Sequence, residues 1–356
     1  QKLARLITTA GIGDIDFEKK YVAVKMHFGE PGNLAFLRPN YAQAVVKVIQ
    51  DLGGKAFLTD CNTLYVGGRK NALDHLDTAF MNGFSPLSTN CHVLIGDGLK
   101  GTDEVLVPVE GGEYVKEAKI GRAIMDADVF ISLNHFKGHE CTGFGGALKN
   151  IGMGCGSRAG KMEMHSNGKP SVYAPKCKKC KQCKKICAHS AISYDEEGIA
   201  HIDHSKCVGC GRCIGICNFD AVKSASDATS DILNMKMVEY ALAVVKDRPQ
   251  FHISLICDVS PNCDCHAEND APIVPNIGML ASYDMVALDK ACIDLVNKQS
   301  AFEKSAITDN LKKYNLDKFK FDNLAMNHPS TNWKSQIEHA EKLGLGNSEY
   351  ELIEIK

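Results

Sequence analysis

The sequence predicts an α/β protein in which a largely parallel β-sheet with flanking helices is interrupted by a small α+β insert. Segments rich in valine and isoleucine alternate with amphipathic segments along the first part of the chain, and the same alternation resumes near its end. Between these parts lies a cysteine-rich stretch that repeats one spacing. We therefore predict one discontinuous α/β domain, residues 1–168 and 227–356, with the insert at 169–226. Two independent domains flanking the insert are the alternative.

The elements of the α/β domain follow from apolar runs bounded by glycine and polar residues. Before the insert, the sequence predicts strands at 21–28, 55–60, 91–98, 104–109 and 129–134, and helices at 40–54, 71–83 and 119–128. After it, the sequence predicts helices at 231–247, 284–299 and near 333–343, and strands at 251–259, 277–282 and 350–356. Because helical segments separate most successive strands, the strands are expected to pair mainly in parallel.

The composition is that of a globular protein, with 44% hydrophobic and 24% charged residues among 356. A formal net charge of -2 provides no overall attraction to nucleic acid or to an anionic membrane surface. No run approaches the roughly 18 apolar residues that a membrane span requires, and the first residues are too polar for a secretory signal. We therefore expect a cytoplasmic protein with neither a nucleic-acid nor a membrane partner.

The cysteines indicate metal binding rather than disulfides. The chain has 16 cysteines, and half of them lie between Cys177 and Cys217. Dense disulfides are typical of small secreted proteins, whereas this chain is long and shows no export signal.

The spacing C-x2-C-x2-C-x3-C occurs twice in this stretch, with an offset of thirty residues. The module resembles bacterial two-cluster ferredoxins, in which three cysteines of one run and the fourth cysteine of the other run hold each 4Fe-4S cluster. This resemblance assigns one cluster to Cys177, Cys180, Cys183 and Cys217 and the second to Cys207, Cys210, Cys213 and Cys187. The usual proline after the fourth cysteine is replaced by Ala188 and Asn218, which removes no ligand.

Two alternatives to the clusters are structural zinc and unrelated free thiols. Zinc sites more often pair two separate C-x2-C units than use four cysteines in one unbroken run, so the spacing favours iron–sulfur clusters. Lysines surround the first run and are expected either to raise the potential of its cluster or to dock an acidic electron-transfer protein. They are Lys176, Lys178, Lys179, Lys181, Lys184 and Lys185. An ordinary solvated lysine face is the alternative.

Two glycine-rich segments do not fit nucleotide sites. The run GDGLKG at 96–101 follows a predicted strand, but a strand-like segment follows it where a dinucleotide site requires a helix. The run GCGSRAGKM at 154–162 lacks the spacing of a phosphate-binding loop.

Candidate functional residues lie where predicted strands end, because ligands bind at the carboxyl ends of parallel strands. His135, His139 and Lys149 follow the strand at 129–134, next to glycines that would let backbone amides approach an anion. Ordinary loop histidines that bond the backbone, and an exposed helix lysine, are the alternatives.

A second group of candidates follows the predicted strand at 251–259. It comprises Cys257, Cys263 and Cys265, together with Asp258 and His266. This spacing fits no standard metal site, but the fold could complete a metal or redox site by adding other side chains, namely His135, His139, Cys155 or His165. A buried structural turn is the alternative. Cys61, Cys91 and Cys292 lie in apolar contexts and are expected to be core residues.

Several longer runs resemble one known family. They are HFKGHE, GFGGALKNIGMGC, CDVSPNCDC, APIVPNIGMLAS and DMVALDKACIDLVN. They are similar to domain-of-unknown-function family 362, in the form that carries an inserted two-cluster ferredoxin. The resemblance implies an inserted domain and names no substrate.

Two functions of different classes follow from these patterns. In the first, the protein is an iron–sulfur oxidoreductase in which electrons pass through two 4Fe-4S clusters to a site at His135, His139 and Lys149. In the second, it is a non-catalytic electron carrier or iron–sulfur binding module whose α/β domain binds a partner protein. A purely structural role for the clusters is a third interpretation. An anaerobic host is expected in each case.

Overall fold

The computed structural model describes residues 1–65, 67–165, 169–209, 211–224 and 229–355. Its strands are β1 (Tyr21–Lys25), β2 (Lys55–Asp60), β3 (His92–Ile95), β4 (Glu104–Pro108), β5 (Glu117–Gly121), β6 (Val129–His135), β7 (Lys137–His139), β8 (Gly143–Gly145), β9 (Pro170–Val172), β10 (Ile192–Tyr194), β11 (Ala200–Ile202), β12 (Val222–Ser224), β13 (Gln250–Ile256) and β14 (Gly278–Ser282). Its helices are α1 (Lys2–Thr9), α2 (Pro39–Asp51), α3 (Ala72–Met81), α4 (Pro86–Thr89), α5 (Arg122–Met125), α6 (Ala147–Cys155), α7 (Arg158–His165), α8 (Gln182–Ile186), α9 (Arg212–Ile216), α10 (Ser230–Val245), α11 (Met285–Asn297), α12 (Ala306–Lys313), α13 (Asn323–Asn327) and α14 (Lys334–Lys342). Three 3-10 turns lie at Ile12–Asp14, Ala174–Lys176 and Asp317–Phe319.

A six-stranded sheet of order β14-β13-β6-β1-β2-β3 forms the centre of the α/β part. The pairs β13-β6, β6-β1, β1-β2 and β2-β3 are parallel, and β14 pairs antiparallel to β13 at one edge. All seven residues of β6 are buried, as expected for a strand covered on both faces. The predicted α/β class with a largely parallel sheet is therefore confirmed.

Helices cover both faces of this sheet and divide the hydrophobic core in two. Alternate residues of the strands point to opposite faces, so that Val22 and Val24 of β1 lie in one core and Ala23 lies in the other. The first core includes side chains from α1 and α2, and the second includes side chains from α6, α10 and α11. The buried residues of α2 recur at helical spacing, so that one face of the helix packs into the first core. These residues are Ala42, Val45, Val46 and Ile49.

The structure corrects two of the predicted elements and places a third, the strand at 104–109, outside the central sheet. Residues 119–128 are not one helix, because 117–121 form β5, which pairs antiparallel with β4, and only Arg122–Met125 is helical. The predicted strand at 104–109 consequently belongs to this hairpin and not to the central sheet. Residues 350–355 form no strand and are largely exposed, and Lys356 lies outside the described residues.

The cysteine-rich region has two similar halves. β9 pairs with β12 and β10 pairs with β11, both antiparallel, and the short helices α8 and α9 contact each other. A left-handed residue precedes each helix, Lys181 at φ 61° and Gly211 at φ 66°. The region has its own small apolar core, which also includes Leu64 and Met162 from the α/β part. The predicted boundaries at 168 and at 226–227 lie outside the described residues, so the domain division stays a prediction.

Within the described ranges, no helix has the length and apolar character needed to cross a membrane.

The start of α6 depends on a carboxylate from α11. Asp289, which is buried, accepts hydrogen bonds from the backbone amides of Ala147 at 2.7 Å and Leu148 at 2.9 Å. Gly146 is required for this approach, because a Cβ atom there would lie 2.3 Å from an Asp289 oxygen. The contact fixes a helix that carries Lys149 and Asn150.

We predict that Asp289→Ala lowers the free energy of unfolding by about 2–3 kcal/mol, since two buried N–H groups lose their acceptor. Denaturant unfolding under anaerobic conditions measures this change. Asp309→Ala is the control, because Asp309 forms only an exposed pair with Lys312 and its removal should cost less than about 1 kcal/mol. Equal losses in the two variants would contradict the role assigned to Asp289.

Candidate functional site

A cavity of about 420 Å³ lies at the carboxyl ends of the parallel strands. Lys25 ends β1, Asp60 ends β2, and both side chains line the cavity. The segment after β6, the helix α6 and the loop after β13 close it. The polar and ionisable side chains of its lining include Lys25, Asp60, Tyr65, Arg69, His139, Glu140, Cys141, Lys149, Lys161, His165, Cys263, Cys265 and His266. Its position is the one at which parallel α/β sheets bind ligands.

Paired charges form one wall of the cavity. The Lys25 ammonium lies 3.0 Å from a carboxylate oxygen of Asp60, and Arg69 Nε lies 2.8 Å from Glu30 Oε2. All four side chains are buried. Burial opposes ionisation of Asp60, but the charge of Lys25 and further cationic neighbours hold the pKa of this carboxyl well below its usual value. The wall is therefore a fixed network of ionised groups.

A stabilised thiolate faces this wall. Lys149 Nζ lies 3.0 Å from the sulfur of Cys263. A hydrogen bond from Cys265, the charge of Lys149 and a hydrogen bond from His139 lower the pKa of Cys263, and they outweigh the opposing effect of burial. The pKa of Cys265 is raised, because its sulfur donates to Cys263 and is itself shielded from solvent. Cys263 is thus the more acidic of the two thiols, and Cys265 donates to it.

The ring of His139 has a defined orientation. Its Nδ1 accepts hydrogen bonds from the backbone amides of Cys141 and Thr142, both at 3.1 Å. The ring proton is consequently on Nε2, which lies 3.7 Å from Glu140 Oε1. His139 therefore acts as a donor toward the anions of the cavity.

A carboxylate–imidazole chain continues from Glu140. Its Oε1 lies 3.2 Å from His266 Nε2, and His266 Nδ1 lies 2.9 Å from Glu268 Oε1. The hydrogen bond to Glu140 raises the pKa of His266 to about 9, although partial burial acts in the opposite direction. Among the described residues, two groups of side chains have atoms that can ligate a metal ion and that lie within 4.8 Å of one another. These groups are His139-Glu140-Cys141 and Glu140-Cys265-His266.

The structure brings together some of the predicted site residues and separates others. His139, Lys149, Cys263, Cys265, His266 and His165 line the cavity. His135 does not, because its Nδ1 is 2.8 Å from Asp264 and its Nε2 is 2.8 Å from the Cys257 carbonyl. Cys257 and Cys155 also lie outside the cavity lining, and Asp258 is 3.7 Å from Arg38 on the exposed side. His135 instead ties the end of β6 to the loop after β13.

The cysteines expected in the core are buried. Cys91 and Cys292 pack in the apolar cores, and Cys61 packs there while also contributing to the cavity wall.

Sequence reasoning missed the charged wall. Lys25 and Asp60 are polar residues at the ends of otherwise apolar strands, which is a signal that the sequence does contain. Arg69 gives no such signal, because its partner Glu30 is far away in the chain and becomes a neighbour only through the fold.

Two smaller cavities in the cysteine-rich region are lined by thiols from both halves. Cys177, Cys180, Cys183 and Cys217 line the first. Cys187, Cys207 and Cys213 line the second, while Cys210 lies outside the described residues. In each case the last cysteine of one run lies with the first cysteines of the other. No disulfide joins any two of the described cysteines.

A buried arginine without full hydrogen bonding lies beside the second of these cavities. Arg158 packs against Gly211 and Gly215, where a Cβ atom on Gly215 would lie 2.1 Å from Arg158 Nη1. Within the described part of the chain, Nε and Nη1 of Arg158 have no hydrogen-bond partner. Burial lowers the pKa of Arg158, whereas Asp97 and Cys213 act to raise it. A buried guanidinium whose N–H groups are only partly hydrogen-bonded requires a nearby negative charge.

Apolar packing connects the cysteine-rich region to the large cavity. Leu64 lines the large cavity and also belongs to the small core that contains Cys183, Cys213 and Cys217. Met162 of α7 belongs to the same small core. The two parts of the molecule therefore share one continuous packed interface.

A family model described as "Domain of unknown function (DUF362)" matches residues 22–294. The chain belongs to the DUF362 family. The match spans the central sheet from β1 to α11, so the DUF362 region supplies the charged wall, the thiolate and the Glu140–His266 chain.

Other similarities of this DUF362 chain are distant. It is 28% identical over 131 residues to a thylakoid-associated protein of Synechocystis sp.. The aligned segment covers 35% of each chain. The lactate racemase apoprotein of Thermoanaerobacterium thermosaccharolyticum has 11% identity and a TM-score of 0.45, over 83% of this chain and 56% of that one. A protein from Thermotoga maritima has 15% identity and a TM-score of 0.41, over 82% of this chain and 56% of that one. The chain thus spans little more than half of these solved chains.

We predict that Lys149→Met raises the pKa of Cys263, because the ammonium that stabilises the thiolate is removed. Peptide-resolved alkylation with iodoacetamide across pH measures this shift. In the unmodified protein, labelling of Cys263 should persist below the ordinary thiol pKa of about 8.5. Lys290→Met is the control, because Lys290 lies on a different helix from Lys149, namely α11, where it pairs with Asp294 of the same helix. Identical pH profiles for Cys263 in both variants would contradict the assignment.

Proposed function

We propose that this DUF362 protein is an iron–sulfur protein that binds two 4Fe-4S clusters and couples electron transfer to a redox reaction in the large cavity. Three cysteines of each run, with the last cysteine of the other run, would hold each cluster. The observation that carries the proposal is the grouping of Cys217 with the first run and of Cys187 with the second. A bound cluster supplies one-electron transfer.

The surroundings of the second thiol cavity support an anionic group there. A 4Fe-4S cluster with four thiolates carries net negative charge, which would compensate the buried Arg158 guanidinium together with Asp97. Nε and Nη1 of Arg158 have no hydrogen-bond partner among the described residues. Gly211 and Gly215 allow the arginine to lie against this half, because side chains at these positions would occupy its place.

The surface around the first thiol cavity supports docking of an acidic electron-transfer protein. The six lysines at 176–185 are all exposed, and no ion pair formed within the described part of the chain includes any of them. Unpaired cations on one face attract an acidic partner and speed its association. The proposal also places the protein in the reducing cytoplasm of an anaerobic host.

The large cavity favours an enzyme over a simple electron carrier. Lys149 and Lys161 place cations in it, and Lys161 contacts the carbonyls of Gly154 at 3.4 Å and Gly156 at 2.6 Å. In the described residues, no carboxylate pairs with Lys161. These two ammonium groups would bind a small anionic substrate. An electron carrier needs neither the cavity nor its charges.

We predict roughly eight irons and eight acid-labile sulfides per chain after anaerobic purification, as two cubes require. Cys217→Ser should alter the spectrum of the cluster held mainly by the first cysteine run, and Cys187→Ser should alter that of the cluster held mainly by the second run. Cys91→Ser should leave both clusters unchanged, because Cys91 is a buried core residue. Zinc in place of iron, or both substitutions altering the same cluster, would contradict the proposal.

We also predict that Arg158→Met lowers the reduction potential of the second cluster, because removal of a buried positive charge disfavours the reduced and more negative state. Redox titration followed by electron paramagnetic resonance measures both potentials. Arg5→Met is the control, since Arg5 is exposed on α1, which packs against α2 and β14, so its charge is distant from the thiols and screened by solvent. Unchanged potentials in Arg158→Met would disprove this role for the arginine.

A further inference from the structure

A second metal-binding arrangement lies in the large cavity, away from the two cysteine runs. We propose that Glu140, Cys265 and His266 bind one divalent transition-metal ion, with an open coordination position that faces the cavity. One ligand atom from each of these side chains lies within 4.8 Å of the other two. The proposal uses no residue of the cysteine runs and does not depend on the clusters.

The geometry is close to that of a tetrahedral site. Metal–ligand bonds of about 2.0 to 2.3 Å place ligand atoms about 3.5 Å apart. Glu140 Oε1 and His266 Nε2 are already 3.2 Å apart. Small rotations of partly exposed side chains would bring the Cys265 sulfur to the same spacing.

The imidazole of His266 is oriented for binding through Nε2. Its Nδ1 donates to Glu268 Oε1 at 2.9 Å, which leaves Nε2 directed at Glu140. A carboxylate on the far nitrogen is the usual partner of a metal-bound histidine. In the metal-free protein, a proton on Nε2 takes the position between His266 and Glu140 that the ion would occupy.

The neighbouring group His139-Glu140-Cys141 is a weaker candidate. Two backbone amides already occupy Nδ1 of His139, so its other nitrogen carries a proton and has no lone pair to offer. His139 is a donor to Cys263, and Lys149 donates to the same sulfur. We therefore assign Cys263 to the surroundings of the ion, and this assignment leaves the fourth position open to the cavity.

The donor set indicates the kind of ion and of bound molecule. Binding of the ion would displace the proton that Cys265 donates to Cys263, so that Cys265 supplies a thiolate. One thiolate, one imidazole and one carboxylate suit Zn²⁺, Fe²⁺, Co²⁺ or Ni²⁺ better than Mg²⁺ or Ca²⁺. The two negative ligands balance the charge of a divalent ion. Three protein ligands with one open position are typical of catalytic metal sites. An oxygen atom of a small anionic molecule would take that position, and Lys149 and Lys161 would bind the rest of the molecule.

Metal analysis of the anaerobically purified full chain tests the site. Metal outside the clusters is measured as iron in excess of acid-labile sulfide, or directly as another transition metal. We expect up to one such metal ion per chain. After addition of Co²⁺, we expect one metal ion per chain outside the clusters and a thiolate-to-cobalt absorption band. Cys265→Ser should abolish the band, and His266→Ala and Glu140→Gln should each weaken Co²⁺ binding at least about 10-fold.

Two substitutions control for indirect effects. Cys257→Ser and Cys91→Ser should retain the Co²⁺ band, because neither thiol lines the cavity. Unchanged cluster iron and sulfide in every variant would show that the chain folds, whatever the result at this site. Co²⁺ binding that survives in Cys265→Ser and His266→Ala, or no absorption band in the unmodified protein, would overturn the proposal.

Discussion

The parallel sheet forces charged residues to share one buried edge, and the rest of the candidate site depends on how these charges are paired. Because neighbouring strands end together, Lys25 and Asp60 meet at 3.0 Å, and Arg69 joins them with Glu30. Removal of one partner from such a buried pair typically costs about 3–5 kcal/mol, since the remaining charge is left without compensation. The network also contacts α6, because Lys25 donates to Asn150 Oδ1 at 2.7 Å, and the loop after β13, because the Glu30 amide donates to the Asp264 carbonyl at 3.0 Å.

In the cysteine-rich region, neither half supplies by itself all the thiols that line one cavity. Each half forms a loop, a short helix and a strand, and each thiol cavity includes a cysteine from the other half. Leu64 and Arg158 then join this region to the α/β part, one through apolar packing and the other through its buried guanidinium. The proposed electron transfer and the proposed metal site would thus meet across one continuous interface.

Local patterns were sufficient for most of the fold and for part of the site. The helical spacing of α2 and the apolar run of β2 predicted these elements within a few residues. The segment at 119–128 was wrongly predicted as a helix, because its first residues pair with β4, a contact that local periodicity does not encode. Similarly, three cysteines after β13 look alike in the sequence, and only the path of the loop directs Cys263 and Cys265 into the cavity and Cys257 away from it.

The most direct test of the proposed clusters is iron anomalous scattering from crystals of the protein grown without oxygen. The account predicts two separate four-iron peaks, one bonded to Cys177, Cys180, Cys183 and Cys217 and the other to Cys187, Cys207, Cys210 and Cys213. A zinc signal at these thiols, or disulfides between them, would contradict it.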